Sequence, residues 1–444
     1  MGDKNHLLYV VTIHAIFALL HFIVSDAVET LARAVGRQER WQLLRNNTGV
    51  VAMHMALTHE NTVIIFDQTE AGPSQYRLHE RYNGRRCSTR SRADLKDGAC
   101  YAHSVEYYIH GNNLRPLRFV SDPWCSSGSF LSNGTLLQVG GHGRGSQRIR
   151  YFRPCRDHLC NWQQSKRSLS DNRWGWFQKL SELRIISYSP IGSPRQVPKS
   201  RSHGMRRRGL GSLRSGSQRE IPPCIELLWE NGHILIINGA RRGCAGWQNA
   251  ATPSLRPYLY NPKKSRGQRF TVLKATRIAR MYHSSALLLP DGRVLVAGGN
   301  PYNTYTFSNV AYPTELRLQA FVPDYMDRQF NDLRPGNVTI EYEGHSSGVA
   351  YGTAFTIHFW LGRRPSKDVE YSVYAPPFTT HSISMNQRLL KLRCRHKTRD
   401  GGGSMSAVLE APPSPNVAPP GYYLLTVVNN GIPSLSQWIR FIPA

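Results

Sequence analysis

The sequence predicts an all-β fold: a β-propeller, complete or short of blades, followed by a β-sandwich. Three observations carry that expectation. One hairpin pattern recurs along the first three hundred residues. From about residue 314 the pattern changes to alternating strands. Glycine (37) and proline (27) are plentiful, and no heptad run marks a long helix.

The hairpins come first. GSFLSNGTLLQVGG (128–141), IELLWENGHILIING (225–239) and SSALLLPDGRVLVAGG (284–299) share one plan. Each is an apolar run, a turn containing Asn-Gly or Asp-Gly, a second apolar run and a closing glycine. VVAMHMALTHENTVIIFD (50–67) is a looser copy. A hairpin repeated at irregular spacing favours propeller blades, each burying its faces against neighbours. A sandwich built of similar hairpins is the other arrangement that fits. The propeller is expected over 35–313. Within it, 175–223 contains SRSHGMRRRGLGSLRSGSQRE (200–220), which has few apolar residues and no periodicity, and it reads as a disordered insertion. The sandwich is expected over 314–444. NVTIEYEG (337–344) and FTIHFWLG (355–362) alternate between faces. GYYLLTVVNNGIPSLSQWIRFI (421–442) reads as strand, turn, strand, and GGGSM (401–405) and APPSPNVAPP (411–420) as loops.

The amino terminus reads as a signal peptide over 1–27. Lys4 precedes an apolar run at 7–24, and Ser25 and Ala27 are small residues at −3 and −1 of a cleavage after Ala27. An uncleaved anchor is the alternative, since the run could just span a bilayer, but His14 and His21 inside it argue against stable membrane insertion. Sequons at Asn46, Asn133 and Asn337 agree with a secreted glycoprotein. Of eight cysteines, Cys87 with Cys100 and Cys155 with Cys160 bracket short loops, as disulfides do in an oxidising compartment. Cys224, Cys244 and Cys394 could pair or stay free.

The formal charge of +27 raises nucleic acid as a partner. The positive charge is concentrated in 175–220, where ten Lys and Arg face two Glu, and no RNA- or DNA-binding motif surrounds it. The reading is a solvated basic surface drawn to acidic polysaccharide, in a monomer, with no nucleic acid as partner.

Three stretches carry chemistry: DPWCSSG (122–128), RMYHSSALLL (280–289) and YAPPFTTHSISMNQR (374–388). Together with CYAHSVEYYIHGNNLRPLRFVS (100–121) and the carboxy-terminal PPGYYLLTVVNNGIPSLSQWIRF, they resemble the glyoxal (aldehyde) oxidases, the plant branch of the galactose-oxidase-like copper radical oxidases. The resemblance covers roughly 40–174 and 225–444. It implies a kelch-like propeller followed by an early-set, immunoglobulin-like sandwich. It also implies one copper ion held by two tyrosines and two histidines, one tyrosine being joined to a cysteine by a thioether and storing a radical. Carried over, Tyr282 matches the axial tyrosine, which takes the substrate proton. His283 and His381 match the two histidine ligands, and Cys125 matches the thioether cysteine. The chemistry is coherent in itself. Two imidazoles with oxygen ligands suit Cu(II), and a metal lowers the proton affinity of a coordinated phenol. One copper passes one electron, so two-electron oxidation of a small aldehyde by O₂, with release of hydrogen peroxide, needs a second store.

The resemblance fails at one point. Where the family carries its cross-linked tyrosine, this chain reads SDNRWGWFQKL (170–180). Gly175 stands at the expected position. A two-residue slip offers Phe177, which has no phenol, and Trp174 and Trp176 cannot ligate copper through oxygen; Tyr188 is the next tyrosine downstream. Family members are also longer, and the break points to a shifted reading frame, a retained intron or a decayed gene copy. The expectation is thus a secreted, apoplastic relative of the copper radical oxidases in which the Cys-Tyr cofactor does not form. The alternative is a non-catalytic propeller that binds cell-wall polysaccharide or a protein partner.

Overall fold

A computed structural model describes residues 39–443 apart from 79–80, 83–84, 87–99, 120, 156–159, 166–224, 343–346 and 363–368. The signal peptide, Cys87 of the Cys87–Cys100 pair, Gly175, Phe177, Tyr188 and the basic stretch therefore lie outside the described residues. The described residues form strands joined by turns and short 3₁₀ segments, with no α-helix among them.

Each of the four recurrent hairpins forms, and each supplies the first two strands of its own sheet. His54–Leu57 pairs with Thr62–Phe66, Ser127–Phe130 with Leu136–Val139, Ile225–Leu228 with Ile234–Ile237, and Ser284–Leu288 with Val294–Gly298. The Asn-Gly and Asp-Gly turns work as their residue types dictate: Gly134 and Gly292 sit at φ +78° and +88°, which a side chain would resist. Two sheets continue outward as simple meanders, through Ile149–Phe152 to Gln163–Gln164 and through Tyr258–Tyr260 to Phe270–Val272. The hairpin at 284–298 adds Leu318–Val322, and the outermost strand of that sheet is Arg40–Arg45, from the other end of the chain. The hairpin at 54–66 adds Ser104–Tyr108 and Asn113–Leu117 on one side.

On its other side lies a surprise in chain order. Phe378–Thr380 pairs with His54–Leu57, in the register His54 with Thr380 and Ala56 with Phe378, and turns back through Ile383–Met385. This late hairpin also reaches the first strand of the other three sheets. Thr379 Oγ1 donates to the Ala286 carbonyl (3.5 Å), Ser384 Oγ to Glu226 (3.1 Å) and Asn386 Nδ2 to Gly128 (3.3 Å). Gln387 caps the contact by accepting from the Leu228 N–H and donating to the Glu226 carbonyl. Four sheets thus share one hairpin, and Phe378 packs so tightly on Gly128 that a Cβ there would overlap its ring.

The hydrophobic core behind these first strands runs through Val50, Met55, Ile65, Leu227, Leu235, Leu287 and Leu295, and takes in Tyr374, Leu389 and Leu424 from the carboxy-terminal region. That region makes two facing sheets. One orders Gly336–Glu341, Ala354–Trp360, Ser404–Glu410 and Cys394–Gly401. The other orders Val349–Ala350, Gln437–Ile442, Gly421–Asn429, Val369–Ala375 and Arg388–Leu392. A second core of Phe355, Ile357, Val373, Leu409, Leu425 and Phe441 fills the space between them, as the alternation in these strands requires. The loop expected at 401–405 is shorter than expected. Strands run to Gly401 and resume at Ser404, because Gly402 and Gly403 alone, at φ +56° and +93°, make the turn. Cys155 and Cys160 are joined as a disulfide.

Candidate metal centre

Three turns hold side chains in backbone conformations that ordinary residues avoid. Cys125 has φ +57°, His283 φ +60° and His381 φ +48°. Each such residue costs of order 1–3 kcal/mol and persists only where the surroundings hold it. All three lie in one place.

His381 and Ser382 are the two-residue loop of the late hairpin, both at positive φ. That is the geometry which Asn-Gly supplies without strain; His-Ser supplies it at a cost, and gains an imidazole at the hairpin tip. His283 follows Tyr282 in the turn that enters Ser284–Leu288, held by Gly299 N–H donating to the His283 carbonyl (3.0 Å) and Asn300 N–H to the Tyr282 carbonyl (2.6 Å). Cys125 closes a turn in which Ser126 N–H donates to the Pro123 carbonyl (3.0 Å), while Asp122 Oδ1 accepts from Trp124 N–H (2.8 Å).

The rings meet closely. Tyr282 stacks on His283 at 4.0 Å between centroids, His381 stands edge-on to His283 at 4.9 Å, and Tyr282 lies 5.6 Å from His381. Cys125 Sγ is 3.4 Å from His381 Nε2, and Cys125 forms no disulfide. A cavity of about 20 Å³, lined by Asn238, Tyr282, His283, Ser284, His381 and Ser382, opens onto this cluster. It has room for one water-sized body. A larger cavity of about 220 Å³ lies elsewhere, against His59, Arg388, Tyr422 and Trp438, and none of the four clustered residues lines it.

The electrostatics favour neutral rings. Burial, followed by the neighbouring His381, holds His283 well below the usual histidine range, and burial alone brings His381 down to about 4. At neutral pH both imidazoles therefore carry free lone pairs, the form that ligates metals. Neither ring nitrogen of His283 has a hydrogen-bond partner, although the residue is only 2% exposed. A buried, doubly orphaned imidazole is costly unless something else binds it. Thr380 Oγ1 lies 2.6 Å from His381 Nδ1. Accepting the Nδ1 proton there leaves the Nε2 lone pair facing Cys125, the kind of outer bond that orients a ligating histidine. Burial, then the thiol of Cys125, pushes the Tyr282 phenol up to about 12, so without a cation it stays protonated.

The structure therefore brings together Cys125, Tyr282, His283 and His381, all four residues singled out in the sequence, from segments as much as 256 positions apart. Sequence reasoning missed three neighbours. Trp247 stands edge-on to both Tyr282 (5.5 Å) and His283 (4.9 Å), and Trp124 stacks on Trp247 at 5.8 Å, so two indoles wall the cluster. Trp124 was visible as the residue before Cys125; Trp247, in a loop between short strands, gave no local signal. His54 is fully buried 6.1 Å from His381, with Nε2 3.2 Å from Ser126 Oγ. It backs the cluster from the strand on which the late hairpin pairs.

Comparison with known proteins adds the following. The family model described as "Glyoxal oxidase N-terminus" matches residues 53–187 and 223–325, and "Galactose oxidase-like, Early set domain" matches 334–441. The first match runs past Trp174 to residue 187, further than the motifs alone had reached. "Aldehyde oxidase GLOX" of Vitis pseudoreticulata is 29% identical, over 95% of this chain and 100% of its own length. "Aldehyde oxidase GLOX1" of Arabidopsis thaliana is 30% identical, over 91% and 84%. The Vitis alignment runs over 535 positions, more than the 444 residues of this chain, so that relative carries stretches without a counterpart here. A solved "novel fungal alcohol oxidase", described in complex with copper, superposes at a TM-score of 0.45 and 15% identity over 91% of this chain and 99% of its own, too loose a likeness to fix the fold.

Proposed function

The chain belongs to the glyoxal oxidase family, and from that premise we propose that Tyr282, His283 and His381 hold a single copper ion in a secreted protein of aldehyde-oxidase type. The observation that carries the proposal is the convergence just described: strained turns from separate segments deliver an orphaned buried imidazole, a second imidazole and a phenol to one water-sized cavity. We read the four sheets as blades of a short propeller. In that reading the hairpin at 378–385 fills the axis, and Arg40–Arg45 completes the blade at 284–322. The described chain has no helix long and apolar enough to cross a membrane.

The donor set fits a metal ion. When bound, copper would supply one-electron exchange with a substrate and with O₂. The chain's own residues do the rest. His283 and His381 offer neutral nitrogen lone pairs. Tyr282 holds its proton at Oη in the free protein, and a cation beside it favours the phenolate, which can accept a proton from a small aldehyde hydrate. Trp124 and Trp247 keep bulk water from one side of the cluster.

The donor set does not fit the full radical cofactor. Cys125 has no tyrosine to join at Gly175, and Phe177 lacks the phenol oxygen. We therefore propose a copper-binding relative in which oxidation of glyoxal-type aldehydes to acids, with O₂ reduced to hydrogen peroxide, is slow for want of a second electron store. The missing tyrosine also favours a second reading, a propeller retained for binding cell-wall polysaccharide or a protein partner. Copper analysis beside a peroxide-coupled assay with methylglyoxal tests the proposal. About one copper per chain, with turnover far below that of the Vitis relative, is expected. Absence of copper binding, or turnover equal to the relative's, would overturn it.

A further inference from the structure

Glu70, Asp122 and His142 make a second group of ligating side chains, and none of them lines the small cavity at Tyr282 and His283. One ligand atom from each lies within 4.8 Å of the other two, and His142 Nδ1 is 3.7 Å from Glu70 Oε2. The three come from separate loops. Glu70 follows Thr62–Phe66, Asp122 opens the turn that carries Trp124 and Cys125, and His142 follows Leu136–Val139. His142 N–H donates to the Asp122 carbonyl (3.3 Å), and a Cβ on Gly141 or Gly145 would stand 2.0 Å from that oxygen, so glycines let the loop close over Asp122. Half-exposed acids alone would mean little. Asp122, however, is only 6% exposed, and its Oδ2 has no hydrogen-bond partner; Oδ1 accepts from the Trp124 N–H. Buried Arg150 does not serve the carboxylate: its guanidinium donates to Ser121 Oγ, Gln138 Oε1, the Gly140 carbonyl and the Asp122 main-chain carbonyl. A buried carboxylate oxygen left bare beside a second carboxylate is costly through both desolvation and like charge, and a cation between the two offsets both.

We propose that Glu70, Asp122 and His142 bind one hard divalent ion of the Mn(II) class, with water filling its remaining positions. Donors stand about 2.0–2.6 Å from such ions, so any two of them lie at most about 4–5 Å apart, a span that the three atoms already meet. Carboxylates and water suit Mg(II), Ca(II) and Mn(II), and of these Mn(II), a transition ion, also takes imidazole nitrogen. The Glu70 and His142 side chains are 55% and 50% exposed, which leaves the outer positions to solvent and makes the ion exchangeable. The ion would tie the Asp122–Cys125 turn to the loop at 140–145. Trp124, in that turn, stands edge-on to His142 at 4.7 Å and stacks on Trp247, so the tie steadies the indole wall of the first cluster. The inference does not rest on what that cluster binds.

Manganese(II) alone is the probe. It stands lowest in the affinity order of the first-row divalent ions, so it leaves nitrogen-rich ligands such as the paired imidazoles largely empty, and the paramagnetic resonance of the free ion fades as it binds. Titration of the full-length protein should find one bound equivalent. Glu70→Gln combined with His142→Ala should weaken that binding by at least ~10-fold. Both side chains are half-exposed, so the metal-free melting temperature should stay where it is. Asp122→Asn keeps an oxygen for the Trp124 N–H and should weaken binding to the same degree. A cooperatively folded parent that binds no Mn(II), or binding that survives Glu70→Gln with His142→Ala, overturns the proposal. Displacement of the Mn(II) by equimolar Ca(II) would mean oxygen ligation only and overturns the role given to His142. None of these results bears on the copper centre, because His283, His381 and Tyr282 stay intact throughout.

Discussion

Replacing His381-Ser382 by Asn-Gly separates what the hairpin tip costs from what it supplies. The two residues sit at φ +48° and +65°, the conformation that Asn-Gly adopts readily. Left-handed backbone costs an ordinary L-residue about 1–2 kcal/mol. Glycine at the second position relieves most of that, less about 0.5–1 kcal/mol for the freedom it adds to the unfolded chain. Losing the imidazole forfeits its bond to Thr380 Oγ1, worth about 0.5–1.5 kcal/mol. The terms nearly cancel, so the metal-free variant should lie within about 1 kcal/mol of the parent, on either side. With metal the two should part. A ligand at a hundred times its Kd stabilises the parent by about 2.7 kcal/mol, and the variant, lacking one of its two imidazoles, should gain little. Thermal unfolding of both proteins with and without zinc or copper reads this directly. If the metal-free variant loses more than about 3 kcal/mol, His381 is a structural residue. If it keeps the full metal-induced rise in Tm, His381 is not a ligand. Either result refutes the reasoning.

Other substitutions probe the supports. Gly128→Ala pushes a methyl into the Phe378 ring, so it should cost about 1–3 kcal/mol and weaken metal binding by displacing the hairpin; adding Phe378→Leu should recover part of both, measured as a double-mutant cycle. Glu230 is 2% exposed, both its carboxylate oxygens lack partners, and burial raises its pKa to about 7. The folded state therefore holds a proton that the unfolded state has released, so stability falls by about 3 kcal/mol as pH rises from about 4.5 to about 7; Glu230→Gln should flatten that slope in denaturant melts. Restoring a phenol near the break, by Gly175→Tyr or Phe177→Tyr, should raise peroxide production from methylglyoxal in copper-loaded protein at one of the two positions, and a flat result at both would show that the missing tyrosine is not what limits turnover.

The hairpins were legible because their signal is local. Asn133-Gly134 and Asp291-Gly292 need positive φ within four residues, and the flanking apolar runs need a face to bury. The pairing of Phe378–Thr380 with His54–Leu57 was not legible, since no period links residues so far apart, and FTT reads equally well as a strand end of the sandwich. The Tyr282-His283 pair acquired meaning through resemblance. Alone, a polar pair before an apolar strand is unremarkable, and the strain at His283 and His381 is a property of backbone that composition does not carry. Trp247 was invisible for a related reason: its partners Trp124, Tyr282 and His283 come from two other turns.

Arg40–Arg45 has a consequence for synthesis on the ribosome. Its partner Leu318–Val322 emerges almost three hundred residues later, so the first of the described strands to be made is among the last satisfied. Until then the growing chain carries an unclaimed RWQLLR ribbon. Contacts this distant in sequence form slowly, and the interval is when neighbouring nascent chains can trade strands. A recombinant version trimmed to begin beyond residue 45 should therefore express as aggregates, even though every side chain of the metal cluster would still be encoded in it.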